Sequence, residues 1–238
     1  MSSLWVIVPA YNEQARLGDT LAALAAQTDR DFTLLVVDNG STDGTVRVAR
    51  SFGATVLREP EKGVGCAVDT GFRHAIARGA VHLARTDADC LPAPGWVAAA
   101  RQALSGADFA YGRIVARRDE HGPAGRAFFR VLVGAAAFFG RVRPAHRGVE
   151  FLAPYRMHAG NNMAITAELY LACGGMPRRP SPTDRAFLNR VRRTTPAIVH
   201  SRHMVVANST RRIRAYGLVG TAKWYLDRGS GPLTADPR

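Results

Sequence analysis

The sequence predicts an α/β fold, a doubly wound, mainly parallel sheet with helices on both faces, and three observations point there. Short β-branched apolar runs alternate with amphipathic stretches through the first half of the chain. Each run ends in a polar cluster rich in Asp, Asn and Gly, and open α/β sheets bind ligands in the crevice beyond their strand C-termini. At 238 residues and 47% hydrophobic content the chain can enclose one substantial core. A single unit over 1–238 is expected, with halves at 1–115 and 116–212 and a C-terminal helix and tail over 213–238.

Residues 4–8 read as the first strand, stopped by Pro9, and 13–27 as a helix with Leu17, Leu21 and Leu24 on one face. A buried strand follows at 33–37. The turn Asp38-Asn39-Gly40-Ser41-Thr42-Asp43-Gly44 then leads into a helix over 46–52. A third strand at 54–57, a helix at 66–77 and a fourth strand at 81–84 come next, then a helix at 94–104 and a strand at 109–114. Residues 117–123 read as an exposed connection between halves. Beyond it lie an apolar segment at 128–139, a loop to 156, a segment at 160–165, and a short helix stopped by Gly174-Gly175.

Lys and Arg number 32 against 19 Asp and Glu, a net of +13, and only Lys62 and Lys223 are lysines. An arginine excess favours bidentate binding of phosphate or carboxylate and attracts nucleotides or anionic lipid headgroups. No basic run is interleaved with aromatics, so a nucleic-acid partner is not expected. Cys66, Cys90 and Cys173 are odd in number, far apart and without metal-site spacing, which fits a reducing compartment. The N-terminal stretch carries no basic leader, and the longest apolar run, 131–139, falls well short of the ~20 residues that cross a bilayer. The expected location is the cytoplasm. Phe128, Phe129, Phe138 and Phe139, flanked by arginines, leave peripheral contact with the inner membrane face as an alternative to a core helix.

Asp87 and Asp89, one residue apart directly after the fourth strand, carry the chemistry. In extended backbone positions i and i+2 point the same way, so both carboxylates face one crevice. Like charges that close resist joint ionisation unless a cation lies between them, and hard oxygen ligands suit magnesium or manganese. Such a metal could hold a diphosphate.

Val8-Pro9-Ala10-Tyr11-Asn12-Glu13, Val36-Val37-Asp38-Asn39-Gly40-Ser41-Thr42-Asp43-Gly44-Thr45 and Asp87-Ala88-Asp89, in that order, resemble the family 2 glycosyltransferases of GT-A fold. The resemblance continues through Gly160-Asn161-Asn162-Met163-Ala164, Gly174-Gly175-Met176 and Asp184-Arg185-Ala186-Phe187-Leu188. It implies an inverting transfer of a sugar from a UDP- or GDP-linked donor to a hydroxyl acceptor, open to a lipid-linked one, with residues 1–115 as the donor half. Pro9, Ala10, Tyr11, Glu13, Asp38 and Asn39 would hold base and ribose, with Gly65 in a flexible loop beside the nucleotide. Asp87 and Ala88 would lie at the ribose, and Asp89 would ligate Mn2+ or Mg2+, with Asp87 and His203 as candidate further ligands. Ser209 and Arg211, with Arg212, would fold over the diphosphate. Asn161 and Asn162 would meet donor or acceptor hydroxyls, and Asp184 would be the general base. The family's usual acidic pair reads Thr183-Asp184 here, keeping only the second member.

Rival classes fit less well. Gly63-Val64-Gly65 lacks the third glycine of a dinucleotide fingerprint, and neither a Walker lysine motif nor a nucleophile elbow occurs. A catalytically silent nucleotide-binding module of the same fold is the main alternative, a nucleotidyltransferase the lesser.

Overall fold

The computed structural model describes residues 3–120, 122–142, 148–156, 159–178 and 183–211, with 215, 217 and 220. Arg212, most of the expected C-terminal helix and tail, and the side chain of Phe139 lie outside the described residues.

The first four strands, β1 (Leu4–Ala10), β2 (Thr33–Asp38), β3 (Thr55–Arg58) and β4 (His82–Arg85), alternate with helices α1 (Leu17–Ala25), α2 (Thr45–Ser51) and α3 (Val64–Ile76). Next come β5 (Leu91–Pro92), α4 (Trp96–Leu104), β6 (Phe109–Ala116) and the long α5 (Pro123–Val142). The chain ends its described part with β7 (Met163–Thr166), α6 (Ala167–Ala172), α7 (Thr183–Thr194) and β8 (Ile198–Asn208). All eight strands join one sheet in the order β3-β2-β1-β4-β7-β6-β8-β5. The β1–β2, β2–β3, β1–β4 and β6–β8 pairs are parallel, whereas β7 runs antiparallel to both β4 and β6, and β5 antiparallel to β8. The sheet is mixed, with four parallel and three antiparallel pairs, and carries helices on both faces as expected.

Period-2 alternation builds the two core layers. In β1, Trp5 and Ile7 pack with Phe72 of α3 and Phe187 of α7, while Leu4, Val6 and Val8 pack with Leu17 and Leu21 of α1 and Trp96 of α4. All seven β1 residues are buried, as a central strand covered on both faces requires.

Pro9 does not end the first strand. Its pairing with β2 continues to Ala10 opposite Asp38, while the β4 ladder stops at Ile7 opposite Arg85, so the amide that proline lacks has no partner strand to serve. The first helix starts at Leu17 rather than 13, because Asn12 takes a positive φ of 52° and Glu13 folds into a turn. α3 begins two residues earlier than expected, which puts Gly65 inside its first turn. β5, α7 and β8 were not assigned from sequence. β8 hid behind its polar run His200-Ser201-Arg202-His203, which coincides with a register shift opposite Gly112 and Arg113.

Candidate functional site

The C-terminal ends of β1, β2 and β4 open on one crevice. At the β2 end Asp38 is buried and its Oδ1 accepts the Ser41 amide at 3.1 Å, an Asx turn that leaves Oδ2 without a hydrogen bond from any described residue. Asn39 is a clamp: its Nδ2 donates to the Glu59 and Glu61 carbonyls, and its Oδ1 accepts the Gly63 amide at 2.8 Å. That side chain is consumed by the loop it holds. Lys62 reaches over the half-buried Tyr11 ring, 3.8 Å from its centroid, and donates to the Asn39 and Gly40 carbonyls. Pro9 and Ala10 lie in the paired end of β1.

A buried guanidinium that the sequence reading missed organises the β4 end. Arg85, 2% exposed, donates from Nε to Asp87 Oδ1 at 3.0 Å and from Nη1 to Asp184 Oδ1 at 2.9 Å. One cation therefore bridges β4's Asp-Ala-Asp turn and the N-terminus of α7, two segments about a hundred residues apart. Burial alone would lower the Arg85 pKa, and Asp87 and Asp184 more than reverse it. The Asp87 pKa is raised as well: burial pushes it up, Arg85 opposes this, and the charges of Asp89 and Asp184 raise it further. Asp184 keeps 37% of its side chain exposed, and its Oδ2 makes no hydrogen bond to a described residue. Gly160 is what leaves it room, since a Cβ there would lie 2.3 Å from the Asp184 carboxyl carbon.

Asp89 faces Arg211, whose Nη2 is 3.4 Å from Oδ2, and the same guanidinium pairs with buried Glu13 at 2.8 Å. Glu120 anchors the segment that carries Arg211, accepting from the Ser209 hydroxyl at 2.8 Å and the Thr210 amide at 2.5 Å. Glu120, Arg85 and Arg117, which bonds the Asp19 and Asp119 carboxylates, had no motif to mark them. Ala88 is buried, and its carbonyl accepts from Thr20 at 2.8 Å.

Three expected site residues stand elsewhere. Asn162 is fully enclosed: its Oδ1 accepts from Trp96 Nε1 at 2.8 Å, and its Nδ2 donates to the Arg113 and Met204 carbonyls, so it ties sheet to helix and does not reach a sugar. Gly65 approaches the protein's own chain, with a Cβ there falling 2.3 Å from the Pro177 carbonyl, rather than a ligand. His203 is exposed and remote from Asp89. Because Leu91 pairs with Ala207 in antiparallel register, Asp89 lies level with Ser209, at the far end of β8 from the irregular segment that contains His203.

No group of three or more His, Cys, Asp or Glu forms a metal cage among the described residues. Two carboxylates are still a fitting donor set, since magnesium-type cations bind one or two of them and take their remaining oxygens from water and phosphate. Asp87 and Asp89 supply the pair, and a cation would relieve the repulsion that raises Asp87. Asn161 lies beside them: its Nδ2 is 3.3 Å from Cys90 Sγ, which donates to Asp89 Oδ1, and its Oδ1 is buried without a hydrogen-bond partner among the described residues. All three cysteines are buried free thiols.

Among curated proteins, the chain is 35% identical over 109 residues to the glycosyltransferase AglE of Haloferax volcanii, covering 42% of this chain and 35% of that one. It is 34% identical over 154 residues to an uncharacterised glycosyltransferase of Mycobacterium bovis, covering 64% and 65%. The chain thus spans about a third and about two thirds of these relatives. Among solved structures it superposes on a mannosyltransferase of Pyrobaculum calidifontis, crystallised with GDP-Man and Mn2+, with a TM-score of 0.65 and 25% identity over 97% of this chain and 66% of that one. The fold is also that of glucosyl-3-phosphoglycerate synthase of Mycobacterium tuberculosis, crystallised with Mn2+ and UDP, with a TM-score of 0.62 and 22% identity over 94% and 77%. The model of glycosyl transferase family 2 matches residues 5–159, which carry β1, the Asp38 turn and the Asp87–Asp89 pair, and the chain belongs to that family.

Proposed function

We propose that this protein transfers a sugar from a nucleoside diphosphate to an acceptor hydroxyl with inversion at the anomeric carbon, and that Asp184 is the base. The observation that carries this is the Arg85 bridge, which holds Asp184 beside the Asp87–Asp89 turn and leaves its Oδ2 without a hydrogen bond to a described residue on a partly exposed side chain. The acceptor oxygen attacks the anomeric carbon while its proton passes to Asp184 Oδ2. The bond from that carbon to the diphosphate breaks, and the electron pair leaves with the phosphate oxygen. One carboxylate opposite the leaving group suffices for such a displacement, so a lone Asp184 after Thr183 is compatible with turnover.

Asp89 and Asp87 would hold manganese or magnesium, which when bound neutralises charge on the departing diphosphate. Arg211 would add a second positive charge there, moving from Asp89 to the phosphates. Glu13 and the spare oxygen of Asp38 would accept from a uracil or guanine edge and from ribose hydroxyls, with Tyr11 beneath. The Pyrobaculum and Mycobacterium structures, with GDP-Man and with UDP, support a donor of either base. The protein would work at the inner face of a membrane, with α5 touching anionic lipid.

The test combines nucleotide binding with turnover. UDP and GDP should bind more tightly with manganese in the wild type but not in Asp89→Ala. Asp184→Asn should keep that binding and release nucleoside diphosphate from a mixture of UDP- and GDP-sugars at least ~10²-fold more slowly. Undiminished turnover in Asp184→Asn removes the base, and pyrophosphate as the released product would mean nucleotidyl transfer instead.

A further inference from the structure

Beside the donor crevice lies a second concavity of about 670 Å³, lined among others by Arg141, Phe151, Leu152, Tyr155, Arg156 and Arg192. Its position follows from the sheet. Arg85 pairs with Met163, Met163 with Tyr111, and Tyr111 with His200, so these residues form one row across β4, β7, β6 and β8. Tyr111 is two strands from Arg85, about 10 Å at the ordinary strand spacing, and Arg85 holds Asp184. The Tyr111 and His200 rings touch, 5.1 Å between centroids. Arg113 and Arg202 lie two residues beyond each, and Arg156, at the cavity wall, hydrogen-bonds the Tyr111 hydroxyl.

The cluster is cationic and, at three of its arginines, uncompensated. Arg113, Arg156 and Arg202 form no salt bridge with a described carboxylate. Glu150, the acidic residue near the rim, is engaged by Arg193 at 3.5 Å. Arg192 is 1% exposed, stacked 3.9 Å over Phe151, with Nε donating to the Ala153 carbonyl. Burial, then the charges of Arg156, Arg113 and Arg202, hold the His200 imidazole below its ordinary pKa, the response expected of a site with surplus positive charge.

We infer that this concavity is the acceptor site and that it selects an acceptor bearing a phosphoryl group, bound by Arg156 at its wall, with Arg113 of β6 and Arg202 of β8 adding positive charge. Guanidinium groups match phosphate oxygens in bidentate geometry, and the aromatic walls suit the carbon chain that joins phosphate to hydroxyl. The inference rests on Asp184 being the base. It leaves open whether the phosphoryl group belongs to a small ester or a lipid headgroup, since both offer the same oxygens.

Isothermal titration without nucleotide or metal tests it, with phenyl phosphate as probe and benzyl alcohol as the neutral control. Phenyl phosphate should bind the wild type, bind Arg156→Gln and Arg202→Gln about tenfold more weakly, and outcompete benzyl alcohol. Both substitutions are at exposed positions, and manganese-dependent UDP or GDP binding in the same variants should be unchanged, which separates this proposal from the donor reading. Glycerol 3-phosphate binding identifies a small ester. Arg156-dependent sedimentation with phosphatidic acid in phosphatidylcholine vesicles, without glycerol 3-phosphate binding, identifies a lipid. Absent phenyl phosphate binding to the wild type, or binding to both variants as tight as to the wild type, overturns the proposal.

Discussion

Arg85 shows how much one buried side chain can arrange. A guanidinium at 2% exposure pairs with two carboxylates that the chain delivers from different directions. Removing one partner of a fully buried pair costs ~3–5 kcal/mol; here Asp87 and Asp184 keep 31% and 37% exposure, so water softens the loss. Arg85→Met should therefore cost about 2 kcal/mol in denaturant unfolding, and turnover should fall further than stability does, because Asp184 loses its orientation. A variant that loses stability but turns over normally would show that Arg85 only packs. Asp87 and Asp89 were legible from the sequence because i and i+2 spacing in a strand end is a local property. Arg85 was not, since nothing about an arginine in Leu83-Ala84-Arg85 says that its partner is residue 184.

At the scale of elements, α5 has the weakest ties to the rest. Phe129 packs with Ala116 at the end of β6, with Phe128 and Val133 beside it, while Val131 and Phe138 are 67% and 63% exposed on another face. The helix contains Arg126, Arg130 and Arg141 but no acidic residue. An apolar stripe flanked by arginines is the pattern of an interfacial helix, whereas no helix among the described residues is long and apolar enough to cross a membrane. The sequence placed aromatic residues and arginines together in this segment, and the fold decided which of them point outward. Val131→Asn with Phe138→Asn should leave thermal unfolding within about 0.5 kcal/mol of wild type and abolish sedimentation with anionic vesicles. Retained sedimentation would remove α5 from any membrane contact. The segment from Ser209 to Arg211 is the opposite case, tied by Glu120 at one end and by Glu13 and Asp89 at the other.

Across the whole molecule, acid should be the fold's weak side. Asp119 is held below the usual carboxylate range chiefly by its hydrogen bond from Arg117, and Asp29 chiefly by Arg101. For Asp43 and Glu59 burial pushes upward, but hydrogen bonds, from Thr45 and from Thr70 with Arg178, outweigh it. A carboxylate with a lowered folded pKa contributes stability that is complete above its unfolded pKa and is lost as pH falls through the folded one. Asp87 has the opposite sign, contributing stability that is complete below its unfolded pKa and lost as pH rises through the folded one. Four groups against one predict that Tm is level above about pH 5 and falls steadily below about pH 4. A Tm unchanged at pH 3 would refute that balance.

The sequence by itself determined what depends on near neighbours. Alternating apolar runs and amphipathic stretches set the β-α order of the first hundred residues, the Asx turn at Asp38 follows from its own side chain, and the Asp87–Asp89 pair follows from strand geometry. Only the tertiary structure decided what depends on distant ones. It inserted β7 antiparallel between β4 and β6, enclosed Asn162 beneath Trp96, carried His203 away from Asp89, and joined Asp87 to Asp184 through Arg85. Backbone preference acts over a few residues and leaves a pattern that can be read along the chain. A buried ion pair is selected by which surfaces meet when the sheet closes, and neither partner carries a mark of the other.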